Sequence, residues 1–443
     1  MSKTIVAIST ALGKGAISVI RMSGEEAFSI AHKLFIAKNN ATVFEHSKMY
    51  LGTVKTEHFC DQCFCVCFFA PNSYTGENLV EFQCHGGVKL AQCVVKECVS
   101  CGAILADKGE FTRRAFLNGK LSLADAEGII DMINAESTAQ LNAGFRLLNG
   151  KFSTHIRCII QQLVDTTAQL EASLDYPDEM EDEAMLNCKV TLDKIDVELA
   201  NLLATAKNGM LIKNGISVAI IGVPNIGKSS LLNALIARDR AIVTDIAGTT
   251  RDSIEESLEV DGVLLNFVDT AGIRNSCDTI EQLGVIRSKE IAKNADLILM
   301  LLNANAQMSA EEQLLINSYQ NKPMLFVYNK SDLGIAKKDT SENAIYISAK
   351  YNKNIDLLKQ KIVDICLDKS LENDEMLTSL RHIQAIQKAK SSIENAKSNL
   401  KICPIECTLV DLKDSYFALG EITGDTANEN IIDAVFTKFC LGK

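Results

Sequence analysis

Residues 216–237 read ISVAIIGVPNIGKSSLLNALIA. An apolar β-branched run, a Gly-x-x-x-x-Gly-Lys-Ser segment from Gly222 to Ser229, and leucines at helical spacing follow one another without a gap. That order predicts a strand, a phosphate-binding loop and a helix whose N-terminus faces the loop. Further apolar runs, VLLNFVD at 263–269, DLILMLLN at 296–303, PMLFVYN at 323–329 and NAIYIS at 343–348, alternate with helical patterns up to about residue 370. Such alternation predicts a parallel sheet covered by helices on both faces.

The chemistry of the loop follows from its residues. Backbone N–H groups from Asn225 to Ser230 close around a triphosphate; Lys228 reaches the β and γ phosphates, and the Ser229 hydroxyl binds Mg²⁺. Asn329, Lys330 and Asp332 form an Asn-Lys-x-Asp segment just past a strand. A carboxylate at Asp332 accepts from the ring N–H and amino group of guanine, whereas adenine leaves it unpaired, so GTP is favoured over ATP. Ser348, Ala349 and Lys350 follow the next strand, where the Ala349 N–H meets the guanine carbonyl. Between these lie Thr244, Asp245, Ile246, Ala247, Gly248, Thr249 and Thr250, and then Asp269, Thr270, Ala271 and Gly272. They read as switch segments that offer Mg²⁺ ligands, with Thr250 foremost, and a γ-phosphate contact.

The rest of the chain frames this domain. At 443 residues, with 47% hydrophobic and 23% charged residues, it is long enough for several domains. A formal charge of −11 and a pI near 5.2 exclude global attraction to nucleic acid or anionic membranes. No stretch approaches the roughly 18 apolar residues a membrane span needs, so a cytoplasmic protein with no membrane partner is expected. Fifteen cysteines without a secretory signal point to reduced thiols. In CDQCFCVCFF at 60–69, Cys63, Cys65 and Cys67 alternate as one face of a strand rather than as a metal site. LDYPDEMEDEAM at 174–185 crowds six carboxylates around Pro177 and reads as a joint between two helices.

The segments TIVAIST, AISVIRMSG, PNSYTGENLVEFQCHGG, GEFTRRAFLNGKLSLADAE, LDYPDE, AIVTDIAGTTRD and EITGD, with the closing Cys440-Leu441-Gly442-Lys443, resemble the MnmE (TrmE) family of bacterial tRNA-modification GTPases from end to end. Leu441 stands where the family usually carries Ile. The resemblance implies a multidomain chain: an N-terminal α+β folate-binding and dimerisation domain over 1–117, and an all-α helical domain in two halves, 118–212 and 371–443. Those halves are interrupted by an inserted α/β P-loop GTPase domain over 213–370. It also implies a homodimer, a heterotetrameric complex with the flavoprotein MnmG, and tRNA as substrate. Together the two proteins place an aminomethyl or carboxymethylaminomethyl group on carbon 5 of the wobble uridine. The one-carbon source is a 5-formyl or methylene tetrahydrofolate. Carried over residue by residue, Arg21, Glu81, Lys120 and Lys443 contact the folate, with Cys440 beside them as a candidate for catalysis or positioning. K⁺ is held by Asn225, Thr244, Ile246 and Thr249, and hydrolysis accompanies K⁺-dependent meeting of two GTPase domains, with Asn225, Lys228 and Thr250 in catalytic roles.

One position departs from the family. LGVIRSKE at 283–290 places Ile286 where a water-orienting glutamate belongs. Isoleucine cannot orient water; Glu281 upstream and Glu290, one helical turn downstream, are the candidates to replace it. The departure leaves a second reading open: a GTP-dependent assembly switch acting on ribosomal RNA or a protein partner.

Overall fold

The computed structural model describes residues 3–39, 41–57, 59–236, 255–269, 293–336, 338–368, 375–400 and 402–443, save the side chains of 177–180, 255 and 269. The chain gathers into two compact units. One comprises Met1–Ile130, Leu147–Glu171 and Leu412–Lys443; the other comprises Asp131–Arg146 and Ala172–Asp411.

The first unit opens with β1 (Ile5–Ile8), β2 (Ile17–Ser23), α1 (Ala27–Leu34), β3 (Phe35–Ala37), β4 (Met49–Lys55), β5 (Cys60–Phe68), β6 (Leu79–His85), α2 (Val88–Ser100) and β7 (Ile104–Leu105). The strands make one sheet in the order β3-β4-β5-β6-β2-β1-β7, antiparallel except where β7 joins β1. Alternation along β2 turns Ile20 and Met22 inward, where they meet Val80 and Phe82 of β6 and Ile30, Ala91 and Val94 of the two helices. Cys63, Cys65 and Cys67 lie in the same core, as the strand reading of 60–69 expects. The Cys65 thiol is pushed well up by its hydrogen bond to Cys67 and by burial, which leaves it a packing residue.

Helices α3 (Glu110–Leu117), α4 (Leu123–Ile133), α5 (Thr138–Leu148), α6 (Lys151–Asp175), α7 (Pro177–Ala204) and α8 (Ala206–Asn214) follow. Tyr176 is the joint between α6 and α7, and Pro177 occupies the first helical turn, where its missing N–H is harmless.

The second sheet is built from β8 (Ile216–Ile221), β9 (Glu255–Val260), β10 (Val263–Asp269), β11 (Leu297–Asn303), β12 (Met324–Asn329) and β13 (Ala344–Tyr346). With it go α9 (Lys228–Ile236), α10 (Ala310–Ser318) and α11 (Ile355–Cys366). Its order is β13-β12-β11-β8-β10-β9, parallel except for the β9 edge. Alternate residues of β11 feed two separate cores: Leu297, Leu299 and Leu301 one, Ile298, Met300 and Leu302 the other. Both faces of the strand are therefore covered, which is why its sequence is continuously apolar. Ser309 and Glu312 close a reciprocal capping box at the start of α10.

The chain ends with α12 (Leu380–Asn399), α13 (Ile405–Thr423) and α14 (Glu429–Phe436). Helix α12 pairs with α7, and Lys397 bridges Asp193 at 2.7 Å and Asp196 at 3.0 Å, with Lys390 also on Asp196. The two stretches expected to make one helical domain, 118–212 and 371–443, are each divided between the units. The cause is visible in the packing: Leu123, Ala126, Val435, Phe436 and Phe439 bury their side chains with Tyr74 and Phe116 of the N-terminal part. Among the described residues no helix is long and apolar enough to cross a membrane.

Candidate functional site

The loop after β8 is shaped by close approaches. A Cβ on Gly222 would lie 2.7 Å from the Leu301 carbonyl oxygen, and one on Gly227 would lie 2.6 Å from Asn329 Nδ2. Gly227 also has φ +105°, and Asn225 takes the left-handed conformation at φ 59°. The turn delivers Lys228 as the first residue of α9, with Ser229 and Ser230 exposed in its first turn. Lys228 Nζ donates to the carbonyls of Gly222 at 2.9 Å and Val223 at 3.1 Å, so the ammonium lies over the loop it would share with a phosphate.

Asn329, 3% exposed at the end of β12, ties two loops together. Its Nδ2 donates to the Ile226 carbonyl at 3.2 Å and its Oδ1 accepts from Ala349 N at 3.1 Å. Lys330, at φ 62°, donates from Nζ to the Asn225 carbonyl at 3.3 Å. Asp332 Oδ1 accepts from the buried Ser348 Oγ at 2.6 Å, which fixes the carboxylate expected to read a base. Lys350 Nζ lies 5.2 Å from the centre of the Tyr351 ring. The structure thus brings Asn225, Ile226, Gly227, Lys228, Asn329, Lys330, Asp332, Ser348 and Ala349 to one end of the sheet. That end is the carboxyl end of the strands, where the order turns back at β8. Residues 244–250, 270–272, Glu281, Ile286 and Glu290 lie outside the described residues, and Asp269 is described only as the last residue of β10. Of the expected cation ligands, Asn225 and Ser229 are the described ones.

A second constellation occupies the N-terminal sheet. The β2–β6 register sets Arg21 opposite Glu81, and Arg21 Nε donates to Glu81 Oε1 at 2.8 Å. The guanidinium lies 5.4 Å from the Tyr74 ring centre and 5.8 Å from that of Phe111, within cation–π reach of both. The Tyr74 hydroxyl shares a 2.8 Å hydrogen bond with Thr112. Residues 440–443 reach the same place. Gly442 accepts from Ser9 Oγ at 2.9 Å through its carbonyl, and Leu441 bridges Lys108. Burial and the Arg21 charge hold Lys443 below the usual lysine range, while nearby Cys440 acts the other way. Lys120 donates from Nζ to the Pro71 carbonyl at 3.1 Å, at the base of the loop that carries Tyr74. Because Arg21 and Glu81 bind one another, they present one paired group on the sheet. Reasoning from charged residues overlooked Tyr74 and Phe111, although each falls within a motif segment, PNSYTGEN and GEFTRR. Two arginines of α3 are paired with acids of the chain itself: Arg113 with Asp433 at 3.0 Å, and Arg114 with Glu77 at 3.0 Å and Glu110 at 2.8 Å.

A parallel sheet with this loop, an Asn-Lys-x-Asp segment and a Ser-Ala-Lys loop at its carboxyl end defines a P-loop GTPase, carried in a larger chain behind an independent N-terminal sheet. Residues 4–120 match the family model described as GTP-binding protein TrmE N-terminus, and residues 123–440 match that of the MnmE helical domain. The tRNA modification GTPase MnmE of Streptococcus thermophilus (strain CNRZ 1066) is 40% identical over 448 residues, 99% of this chain and 98% of that protein. The protein of the same description from Streptococcus pneumoniae (strain Hungary19A-6) is 40% identical over 450 residues, again 99% and 98%. The chain belongs to the MnmE family of tRNA modification GTPases. Among solved structures, Era of Aquifex aeolicus bound to GDP.AlF4⁻ is 28% identical with a TM-score of 0.28, covering 40% of this chain and 66% of that one. The G domain of T. maritima FeoB is 24% identical with a TM-score of 0.26, covering 34% and 99%.

Proposed function

We propose that the chain is a GTP-hydrolysing tRNA modification protein whose N-terminal sheet holds a tetrahydrofolate derivative. The observation that carries this reading is the Arg21–Glu81 pair set between Tyr74 and Phe111, with Lys443 beside it, in the same chain as the P-loop site. Flat aromatic walls suit a pterin ring, and a paired guanidinium and carboxylate supply the donors and acceptors its amide edge needs. Lys120 or Lys443 suits the carboxylates of the folate's glutamate tail. A bound folate, in its 5-formyl or methylene form, supplies the one-carbon unit for carbon 5 of a wobble uridine. The chain acts as a homodimer, in the cytoplasm, with MnmG as the flavoprotein partner. The product is the aminomethyl or carboxymethylaminomethyl form.

At the nucleotide site, Lys228 exchanges its loop carbonyls for β and γ phosphate oxygens, while Asp332 and Ala349 read guanine. Mg²⁺ falls to Ser229 and Thr250, and K⁺ to Asn225, Thr244, Ile246 and Thr249. These oxygen donors fit hard cations.

Two measurements on the purified protein test the proposal. Equilibrium binding of 5-formyltetrahydrofolate should be clear for the wild type and lost in Arg21→Ala and Glu81→Ala. Steady-state GTP hydrolysis should be much faster in KCl than in matched NaCl. GTP binding without folate binding would favour the assembly-switch reading, for which Ile286 at the family's glutamate position is the supporting observation.

A further inference from the structure

Residues 69–78, between β5 and β6, form neither helix nor strand, yet they carry Tyr74, one of the two rings beside Arg21. Holding such a loop still costs conformational entropy, so a ring that stands ready in it needs fastening. Helix α3 supplies both the second ring, Phe111, and the fastenings. The Tyr74 hydroxyl bonds to the fully buried Thr112, and Asn118, just past the helix, donates from Nδ2 to the Thr75 carbonyl at 2.7 Å. Arg114 makes the third fastening. Its Nη1 donates to Glu77 Oε2 at 3.0 Å and Oε1 at 3.3 Å, while its Nη2 donates to Glu110 Oε1 at 2.8 Å and to the Lys3 carbonyl at 3.0 Å. One planar guanidinium thus joins the loop, the helix and the chain entering β1, a geometry that an ammonium does not reproduce.

Glu77 is held from the sheet as well. Ser23, two residues beyond Arg21 on β2, donates from Oγ to Glu77 Oε2 at 2.7 Å and lies 2.7 Å from Thr75 Oγ1. A serine hydroxyl has one proton, so with that proton on the carboxylate Ser23 accepts from Thr75. The Thr75 oxygen in turn accepts from Glu77 N at 3.3 Å, and both Ser23 and Thr75 are fully buried. We propose that Arg114 is a positioning residue for the ligand held at Arg21: acting through Glu77, it fixes the loop so that Tyr74 keeps its place beside the Arg21 guanidinium before the ligand arrives. The assignment rests on the folate reading of that site. A ring already in place spares the ligand the cost of ordering the loop, and the saving is expressed as affinity. Without the guanidinium, Glu77 and Glu110 lose the cation they share and repel one another, which loosens the loop from α3.

The test is a double-mutant cycle on the full chain. Affinity for 5-formyltetrahydrofolate is measured by isothermal titration calorimetry in the wild type, Arg114→Gln, Tyr74→Ala and the double variant. Arg114→Gln should bind about tenfold more weakly than the wild type, and Arg114→Lys should recover only part of the loss. In the Tyr74→Ala background the same Arg114→Gln change should cost less than about twofold, because the ring it positions is gone. Glu77→Gln keeps the shape of the side chain and should repeat the pattern, so it carries the test if Arg114→Gln does not fold. An equal loss in both backgrounds would show that Arg114 supports only the fold, and unchanged affinity in Arg114→Gln or Glu77→Gln would show that the loop needs no such clasp. Either result overturns the proposal while the folate reading stands. A wild-type protein that binds no folate removes that reading and this assignment together.

Discussion

Single residues decide how the nucleotide site is held. Gly227 combines φ +105° with an approach to Asn329 that leaves no room for a Cβ, and Asn329 in turn spans from Ile226 to Ala349. In Gly227→Ala the left-handed backbone alone costs about 1–3 kcal/mol. The new methyl also displaces the Asn329 amide, so GTP affinity measured by calorimetry should fall more than about tenfold, with circular dichroism unchanged. Native affinity in that variant would show that Asn329 does not organise the loop. At the other site the sign of a pH effect follows from Lys443. Its pKa is lowered in the folded chain, by burial first and by Arg21 second. Between that lowered value and the unfolded value of about 10.4 the unfolded chain binds more protons, so stability rises with pH through that window. Lys443→Met removes the penalty. Its thermal midpoint should exceed the wild type's most at about neutral pH, and the gap should close towards about pH 10; a gap that stays constant contradicts the assignment.

Elements show what the sequence could and could not disclose. The strand, loop and helix at 216–236 were legible because each carries its own signature, and β11 announced its double burial by an unbroken apolar run. The base-reading segment was legible too, but not the double duty of Asn329, since nothing in a local pattern says which backbone an amide will meet. Helical periodicity in 123–133 and 429–436 marks an apolar face without naming its partner, and that partner is the N-terminal part with Tyr74 and Phe116. Charge on α12 was equally ambiguous. Its Lys390 and Lys397 are engaged by Asp193 and Asp196 of α7. Lys397→Ala should therefore lower stability by no more than about 1 kcal/mol, an effect that shrinks in high salt. Binding of tRNA, followed by filter retention, should not change. Weaker tRNA binding at unchanged stability would show that the lysine contacts RNA rather than only Asp193 and Asp196.

At the scale of the whole molecule, two sites of different chemistry share one chain, and the departure at Ile286 bears on how the nucleotide site fires. Restoring the carboxylate in Ile286→Glu should raise single-turnover GTP hydrolysis by about a hundredfold, the usual worth of one positioned group. An unchanged rate would mean that another residue, with Glu290 the first to examine, already orients the water.

The hydrogen bond from Ser9 to Gly442 joins positions 433 residues apart in sequence. During synthesis at about 5–20 residues per second, some 20–90 s pass between the appearance of the two partners. The first sheet can fold as it leaves the ribosome, yet Lys443 reaches Arg21 only after both domains have been translated. The loop at 222–229 and the segment at 329–332 are made well before that contact, so the nucleotide end of the second sheet can assemble ahead of the constellation around Arg21.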